Sequence, residues 1–192
     1  IIALNAILDC TNQTKAQNVR IETVFIDLYH AKDLQKNLKR YPGVKIVSGK
    51  YEDNITEILV DKACCNVFLY IDPYGIKALE CSKFDEFTNG QFNSIELLIN
   101  LNSFGFIREA CRVMDTSFYD EELFDDLIEY DSSTFNKSEK AKLELNGIAG
   151  GDYWQQIIED YKEHKIDGYE AEKVFSNKYC ERLQQSYDYV LN

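Results

Sequence analysis

Segments with strand character alternate with segments of helical character along the first 114 residues. Four short runs rich in β-branched and aromatic residues are separated by stretches whose apolar residues recur at helical spacing. One run, residues 66–72 (NVFLYID), is almost entirely apolar, as expected of a strand covered on both faces. This alternation predicts an α/β fold: a parallel sheet with helices on both faces and right-handed crossovers.

The predicted elements of this first part place its candidate ligand site. Strands are predicted at residues 22–27, 44–47, 66–72 and 94–101. Helices are predicted at residues 2–9, 29–40, around 55–59, up to about 88, and 104–114. Open α/β sheets bind ligands at the carboxyl ends of their strands, so site residues are expected directly after the predicted strands.

The remainder of the chain has a different character. Residues 115–131 (DTSFYDEELFDDLIEYD) contain many acids and no base. Helices are predicted at 137–145, 152–164 and 169–190, with a GIAGG loop at 147–151 and no strand after 101. We therefore predict two domains, an α/β domain over 1–114 and an acidic helical subdomain, an insert or lid, over 115–192. Trp154 is expected to anchor a core rather than to stack on a ligand.

The charge is distributed unevenly between these two parts. The chain has 33 acidic and 21 basic residues, for a net charge of −12, whereas a general nucleic-acid binder usually has a basic surplus. Almost all of the excess acid falls after residue 114. The charge therefore does not exclude a nucleic-acid substrate at the strand ends, and the helical part suits a basic partner.

The sequence contains few features that indicate a cellular compartment. No uninterrupted apolar stretch approaches the length of a membrane span, and the first ten residues lack the basic start and cleavage site of a signal peptide. The six cysteines form no CxxC pair and lie far in sequence from the two histidines. We expect reduced, mostly buried thiols in a cytoplasmic protein, with no metal site. Because the chain begins at Ile1, within an apolar helical pattern, we also expect a piece of a longer protein.

The tetrapeptide Asp72-Pro73-Tyr74-Gly75 is the most distinctive local motif. Asp72 ends an apolar strand, Pro73 stops strand pairing, and Gly75 permits an unusual turn or a close backbone approach. Amino-methyltransferases use a similar D-P-P-Y tetrapeptide, in which an oxygen accepts a hydrogen bond from the target NH2 and the aromatic ring stacks on a base. The alternative is a plain strand-ending turn with Tyr74 packed as a structural residue.

Other candidate residues follow the first two predicted strands. Asp27 ends the run VFID, where an acid can accept hydrogen bonds from both ribose hydroxyls of a nucleotide or can instead cap the next helix. Gly49, Lys50 and Tyr51 follow the next strand. Gly49 would let a ligand approach the backbone and Tyr51 would stack on an adenine, unless these residues form an ordinary loop.

Arg108 is a further candidate site residue, and several known nucleotide-binding and catalytic motifs are missing from the sequence. Arg108 follows the fourth strand and would bind a phosphate or carboxylate, or simply pair with a nearby acid. The chain has no GxGxxG or GxxxxGK[ST] loop, and two isolated histidines support no Ser-His-Asp or Cys-His arrangement. A glycine-rich first loop, where one is needed, is expected upstream of Ile1.

Taken in order, these segments resemble the three-Cys-motif partner (TcmP) family, which is related to class I S-adenosylmethionine (SAM)-dependent methyltransferases. The most distinctive matching segment is 68–75 (FLYIDPYG). The other matching segments are 1–6 (IIALNA), 24–27 (VFID), 96–100 (ELLIN) with Arg108, 151–154 (GDYW) and 179–183 (YCERL). One departure is that Gly49 is followed by Lys50, where the family commonly has a Gly-Asp pair.

The resemblance implies a Rossmann-like methyltransferase sheet, incomplete in this chain, with its first strand upstream of Ile1 and its last strands beyond Asn192. It implies SAM as cofactor and a separate three-Cys-motif protein as partner. Asp27 would hold the ribose, Gly49, Lys50 and Tyr51 would border the adenine, and 72–75 would receive a nucleobase or a group on the partner. The alternatives are a non-catalytic adaptor that keeps the fold and, less favoured, a metal-dependent nuclease that uses Asp72.

Overall fold

The computed structural model of the protein describes residues 2–14, 19–41, 43–73, 75–120 and 139–191. Its strands are β1 (Thr23–Asp27), β2 (Val44–Ser48), β3 (Asn66–Ile71) and β4 (Ser94–Ile99). Its helices are α1 (Ile2–Thr14), α2 (Ala31–Asn37), α3 (Tyr51–Val60), α4 (Cys81–Thr88), α5 (Ser103–Val113), α6 (Glu139–Ala149), α7 (Trp154–Lys162) and α8 (Gly168–Leu183). A short 3₁₀ turn, Lys77–Leu79, precedes α4. The α/β class is confirmed.

The described strands form two small parallel sheets rather than one continuous sheet. In the first sheet, Thr23 lies opposite Val44, and the pairing continues to Asp27 opposite Ser48. In the second sheet, β3 and β4 pair in parallel over six residues, ending at Ile71 opposite Ile99. The predicted parallel pairing is therefore confirmed within each sheet.

The chain divides into two compact units, Ile1–Asp61 and Lys62–Asn192. The first unit has a small core in which Leu4, Leu38 and Tyr41 are buried. The Tyr41 hydroxyl donates a hydrogen bond to Asn5 Oδ1 at 2.9 Å, so the buried ring keeps a partner for its polar atom. This core positions β1 and β2.

The second unit has a larger core built on aromatic residues. Phe106 of α5 stacks on Phe175 of α8 with ring centroids 4.1 Å apart, and it meets the edge of Trp154 at 6.1 Å. Trp154 is fully buried, and its indole nitrogen donates to Asn146 Oδ1 at 2.8 Å. The expectation that Trp154 anchors a core is confirmed.

The C-terminal helix is bonded to α4, which lies between β3 and β4 in sequence. Arg182 forms an ion pair with Asp85, and the Tyr187 hydroxyl donates to the Phe84 carbonyl oxygen at 2.7 Å. These helices therefore belong to the same compact unit as the second sheet. The domain division at residue 114 remains a prediction.

Three local expectations differ from the structure. The helix predicted over 169–190 ends at Leu183, and α6 runs through Ala149 into the predicted GIAGG loop. Strand β3 is not covered on both faces, since Phe68 is 63% exposed and Tyr70 is 61% exposed. The apolar run suggests a wide sheet with both faces buried, whereas one face of the observed two-stranded sheet is exposed to solvent.

The cysteines are also less buried than expected. Cys10, Cys64 and Cys65 are exposed, Cys180 is half-buried, and only Cys81 and Cys111 are buried. None of the six forms a disulfide within the described residues. Burial raises the pKa of Cys81 to about 11 and that of Cys111 to about 12, so these two thiols are chemically inert near neutral pH.

Candidate functional site

Parallel pairing of β3 and β4 brings two polar side chains together at the carboxyl ends of these strands. Asp72 directly follows β3 and Asn100 directly follows β4. The Asn100 side-chain amide donates to Asp72 Oδ1 at 2.7 Å, and its backbone N–H donates to the Ile71 carbonyl oxygen at 2.8 Å. The pair is thus held by both backbone and side-chain hydrogen bonds.

This Asp72–Asn100 pair is open to solvent and has a phenol beside it. Asp72, Asn100 and Tyr70 are all exposed. The negative charge of Asp72 raises the pKa of the Tyr70 hydroxyl, because it disfavours the phenolate. A carboxylate, an amide and a neutral phenol together offer hydrogen-bond acceptors and donors to a polar ligand.

The residues after Asp72 differ in exposure. Pro73 is half-buried, Gly75 is exposed, and Tyr74 lies outside the described residues. A side-chain carbon placed on Gly75 would meet no atom within 4 Å. Apart from its two chain neighbours, no atom of the described residues therefore crowds Gly75.

Asp27 already has a structural role at the end of β1. Its Oδ1 accepts hydrogen bonds from the backbone N–H groups of Tyr29 at 2.9 Å and His30 at 2.5 Å. These bonds shape a turn that precedes α2 and are not a helix cap, because the N-cap residue of α2 is His30, whose side chain makes no capping hydrogen bond. Within the described parts of the chain, no hydrogen bond is found for the second carboxylate oxygen, Oδ2.

Gly49 lies beside Asp27 at the end of β2. Its N–H donates to the Asp27 carbonyl oxygen at 3.1 Å. Its φ of +150° suits glycine, and a Cβ there would lie 2.7 Å from Asn54 Nδ2, whose amide donates to the Lys50 carbonyl oxygen at 2.6 Å. Lys50 is exposed just before α3, and half-buried Tyr51 begins that helix.

The structure therefore brings Asp27 together with Gly49 in the first unit, and Asp72 together with Asn100 in the second. Arg108 lies on α5, where its side chain is only 10% exposed and its Nε is 3.9 Å from Glu109 Oε1.

Comparison with protein-family models, curated proteins and solved structures finds no match. In the part of the chain that the structure describes, no helix has the length and apolar character needed to cross a membrane. The same residues contain no group of three or more His, Cys, Asp or Glu side chains suited to a metal ion.

A cavity of about 270 Å³ lies in the first unit, lined by Gln35, Leu38, Lys39, Tyr41, Val44 and Ile46. None of the predicted site residues lines it. The candidate sites are therefore the exposed strand ends and not this cavity.

Sequence reasoning overlooks Asn100 and Tyr70 as site residues. Asn100 can be found by the rule that carboxyl ends of neighbouring parallel strands meet, since it follows β4 as Asp72 follows β3. Tyr70 carries a weaker signal, because residues i and i+2 share a face only where the extended backbone continues, and Asp72 lies just beyond the end of β3.

Proposed function

We propose that the protein is a SAM-dependent methyltransferase that modifies an amino or ring nitrogen. The observation that carries this proposal is the accessible Asp72–Asn100 pair at the carboxyl ends of two parallel strands. Open α/β sheets bind ligands at that edge, and a carboxylate there can accept a hydrogen bond from a target NH2. Catalysis would rest mainly on orientation of the acceptor nitrogen.

The residues after β1 and β2 are compatible with binding of the ribose and adenine of SAM. Oδ2 of Asp27 has no hydrogen bond within the described residues and could accept ribose hydroxyls, while Oδ1 keeps the turn in place. Gly49, Lys50 and Tyr51 would border the adenine. When bound, SAM supplies an electrophilic methyl group.

The strand pairing supports a Rossmann-like sheet for this proposal. In a doubly wound sheet with the order 3-2-1-4-5, strands 2 and 3 are neighbours, strands 4 and 5 are neighbours, and all are parallel. The pairs β1–β2 and β3–β4 have these neighbours when β1 is counted as the second strand.

The acceptor class remains broad within this proposal. The acceptor next to Asp72 would be a nucleobase or a nitrogen on a three-Cys-motif partner protein. We further propose a cytoplasmic location, in keeping with six cysteines that form no disulfide within the described residues.

The test is calorimetric titration of the full-length protein with SAM. We expect saturable binding that Asp27→Ala weakens about tenfold or more, because hydrogen bonds to a charged group are lost. Asp33→Ala is the matched control, since this exposed carboxylate lies in the neighbouring helix α2. An absence of heat at millimolar SAM would refute the proposal.

A non-catalytic adaptor is the second candidate. It is favoured by the Oδ1 atoms of Asp27 and Asp72, which already accept hydrogen bonds from groups of the chain itself. For an adaptor, Asp72→Ala leaves cellular function intact, whereas substitutions in the acidic helical part remove it. For a methyltransferase, Asp72→Ala abolishes function.

A further inference from the structure

Helix α5 carries two arginines and a glutamate whose charges are not evenly matched. Arg112 Nη1 lies 2.8 Å from Glu109 Oε1 and forms a short ion pair with it. Arg108 Nε lies 3.9 Å from that same oxygen, which is beyond hydrogen-bond distance. One carboxylate oxygen thus faces two guanidinium groups.

Arg108 is left incomplete by this arrangement, as is Glu109, whose Oε2 is buried without a hydrogen-bond partner within the described residues. The Arg108 side chain is nine-tenths buried, and its Nε is buried without a hydrogen-bond partner within the described residues. Side chains at i and i+1 of a helix diverge, so Glu109 cannot turn fully towards Arg108 while it binds Arg112. A buried guanidinium nitrogen without a hydrogen bond costs free energy, and an anion bound at Arg108 would offset that cost.

Glu109 is the one carboxyl group that the described structure pairs with these two arginines. Burial raises the pKa of Glu109 despite the two neighbouring guanidinium groups. With two guanidinium groups beside one carboxyl group, the cluster has a positive balance in a chain with a net charge of −12.

The spacing of the arginines provides a two-sided cradle. Residues at i and i+4 lie on the same face of a helix, which puts Arg108 and Arg112 side by side. The Arg112 side chain is 37% exposed, so one side of the cradle is open to solvent while Arg108 supplies a desolvated charge. Planar guanidinium forks match the oxygens of carboxylates and phosphates.

We propose that Arg108 and Arg112 form an oxyanion-binding site that takes the phosphate or carboxylate group of a ligand. This site stands on the geometry of α5 alone and does not depend on the proposed methyltransferase function. Arg108 would contribute the stronger, buried contact, and Arg112 the open one.

The test is a titration of the full chain followed by NMR of the arginine Nε–H groups. Inorganic phosphate and acetate are used separately as probes, so that the two sources of the anion are distinguished. We expect the Arg108 and Arg112 resonances to shift along one saturating curve with at least one of the two probes. Resonances that stay fixed with both probes would overturn the proposal.

Substitutions then separate a ligand site from a structural arginine. Arg108→Met is expected to weaken probe binding about tenfold or more and to leave the melting temperature unchanged or higher, because an unmatched buried charge is replaced by an apolar side chain. Arg108→Lys keeps the charge but loses the fork, and it should weaken binding while retaining the fold. Arg20→Met removes an exposed charge as the control and should alter neither property.

Two outcomes of these substitutions would refute the oxyanion site. If Arg108→Met lowers the melting temperature by several degrees and probe binding is unchanged, Arg108 is an internal ion-pair partner and no oxyanion site exists. If the Arg20→Met control loses binding equally, the shifts reflect overall charge and the proposal is again refuted.

Discussion

Gly49 shows how a single residue can serve both the fold and a candidate site. Its backbone conformation requires the absence of a side chain, and so does the 2.7 Å that would separate a Cβ at this position from Asn54 Nδ2. The N–H group of Gly49 also connects β2 to the Asp27 carbonyl oxygen. A substitution of Gly49 is therefore expected to affect both the stability of the fold and the proposed binding of SAM.

Gly49→Ala is expected to lower the free energy of unfolding by about 1–3 kcal/mol, because a side chain is strained at this φ and crowds Asn54. Gly75→Ala is the matched control and should change it by less than about 0.5 kcal/mol, since a Cβ at Gly75 meets no atom within 4 Å. Urea unfolding of the two variants measures the difference. Equal losses would contradict this account.

At the scale of single elements, helix α8 has the best-defined beginning. The Asp167 side chain accepts a hydrogen bond from the Glu170 N–H at 2.8 Å, and the Glu170 side chain accepts one from the Asp167 N–H at 3.3 Å. This reciprocal capping box satisfies two backbone donors that the first turn leaves free.

Asp167→Ala is expected to destabilise the protein by about 1 kcal/mol, because the cap of α8 is lost. Asp188→Ala removes the same charge from an exposed position after the helix and serves as the control. Thermal unfolding followed by circular dichroism provides the comparison. The cap has no energetic role if both variants melt alike.

The elements themselves can largely be predicted from periodicity, whereas their ends cannot. The predicted start of α8 is one residue late, although the D-x-x-E pattern at Asp167 and Glu170 marks it. Its predicted end is seven residues late, because Tyr187 continues the apolar spacing. In the structure the Tyr187 hydroxyl donates to the Phe84 carbonyl oxygen, a tertiary contact that local spacing does not encode.

At the scale of the whole molecule, contacts distant in sequence hold the second unit together. Asp85 accepts hydrogen bonds from Arg182 and Ser186, which are about a hundred residues further along the chain. Burial alone would raise the pKa of Asp85, but these hydrogen bonds outweigh it and lower the pKa below its ordinary value.

When folding lowers the pKa of a carboxyl group, that group stabilises the folded protein, and the contribution is complete at pH values above the pKa of the unfolded state. That contribution is lost as the pH falls through the lowered value. Asp85→Asn should therefore lower stability at pH 7 by about 1–2 kcal/mol, after allowance for partial exposure, and should flatten the loss of stability below about pH 4.

Glu86→Gln is the control for Asp85→Asn, since the neighbouring Glu86 is exposed and pairs only with Lys83 at 3.4 Å among the described residues. Urea unfolding at several pH values between neutral and acid measures both variants. Identical acid slopes for Asp85→Asn and the unchanged protein would refute the assignment.

The fold class and part of the candidate site can also be predicted at this scale. Asp27 and Asp72 are found because strand ends gather ligands in α/β sheets. The bonding of each carboxylate cannot be predicted, since the partners of Asp27 come from a local turn and the partner of Asp72 comes from strand register. Burial of Arg108 depends on neighbours that the sequence does not identify.

The uncovered face of β3 and β4 has a consequence for the handling of the protein in solution. Phe68, Tyr70 and Leu98 are each more than half exposed on adjoining strands. Apolar side chains on an open strand pair favour edge-to-edge and face-to-face association between molecules. Purified samples are therefore expected to self-associate as concentration rises, and dilute conditions should keep them monodisperse.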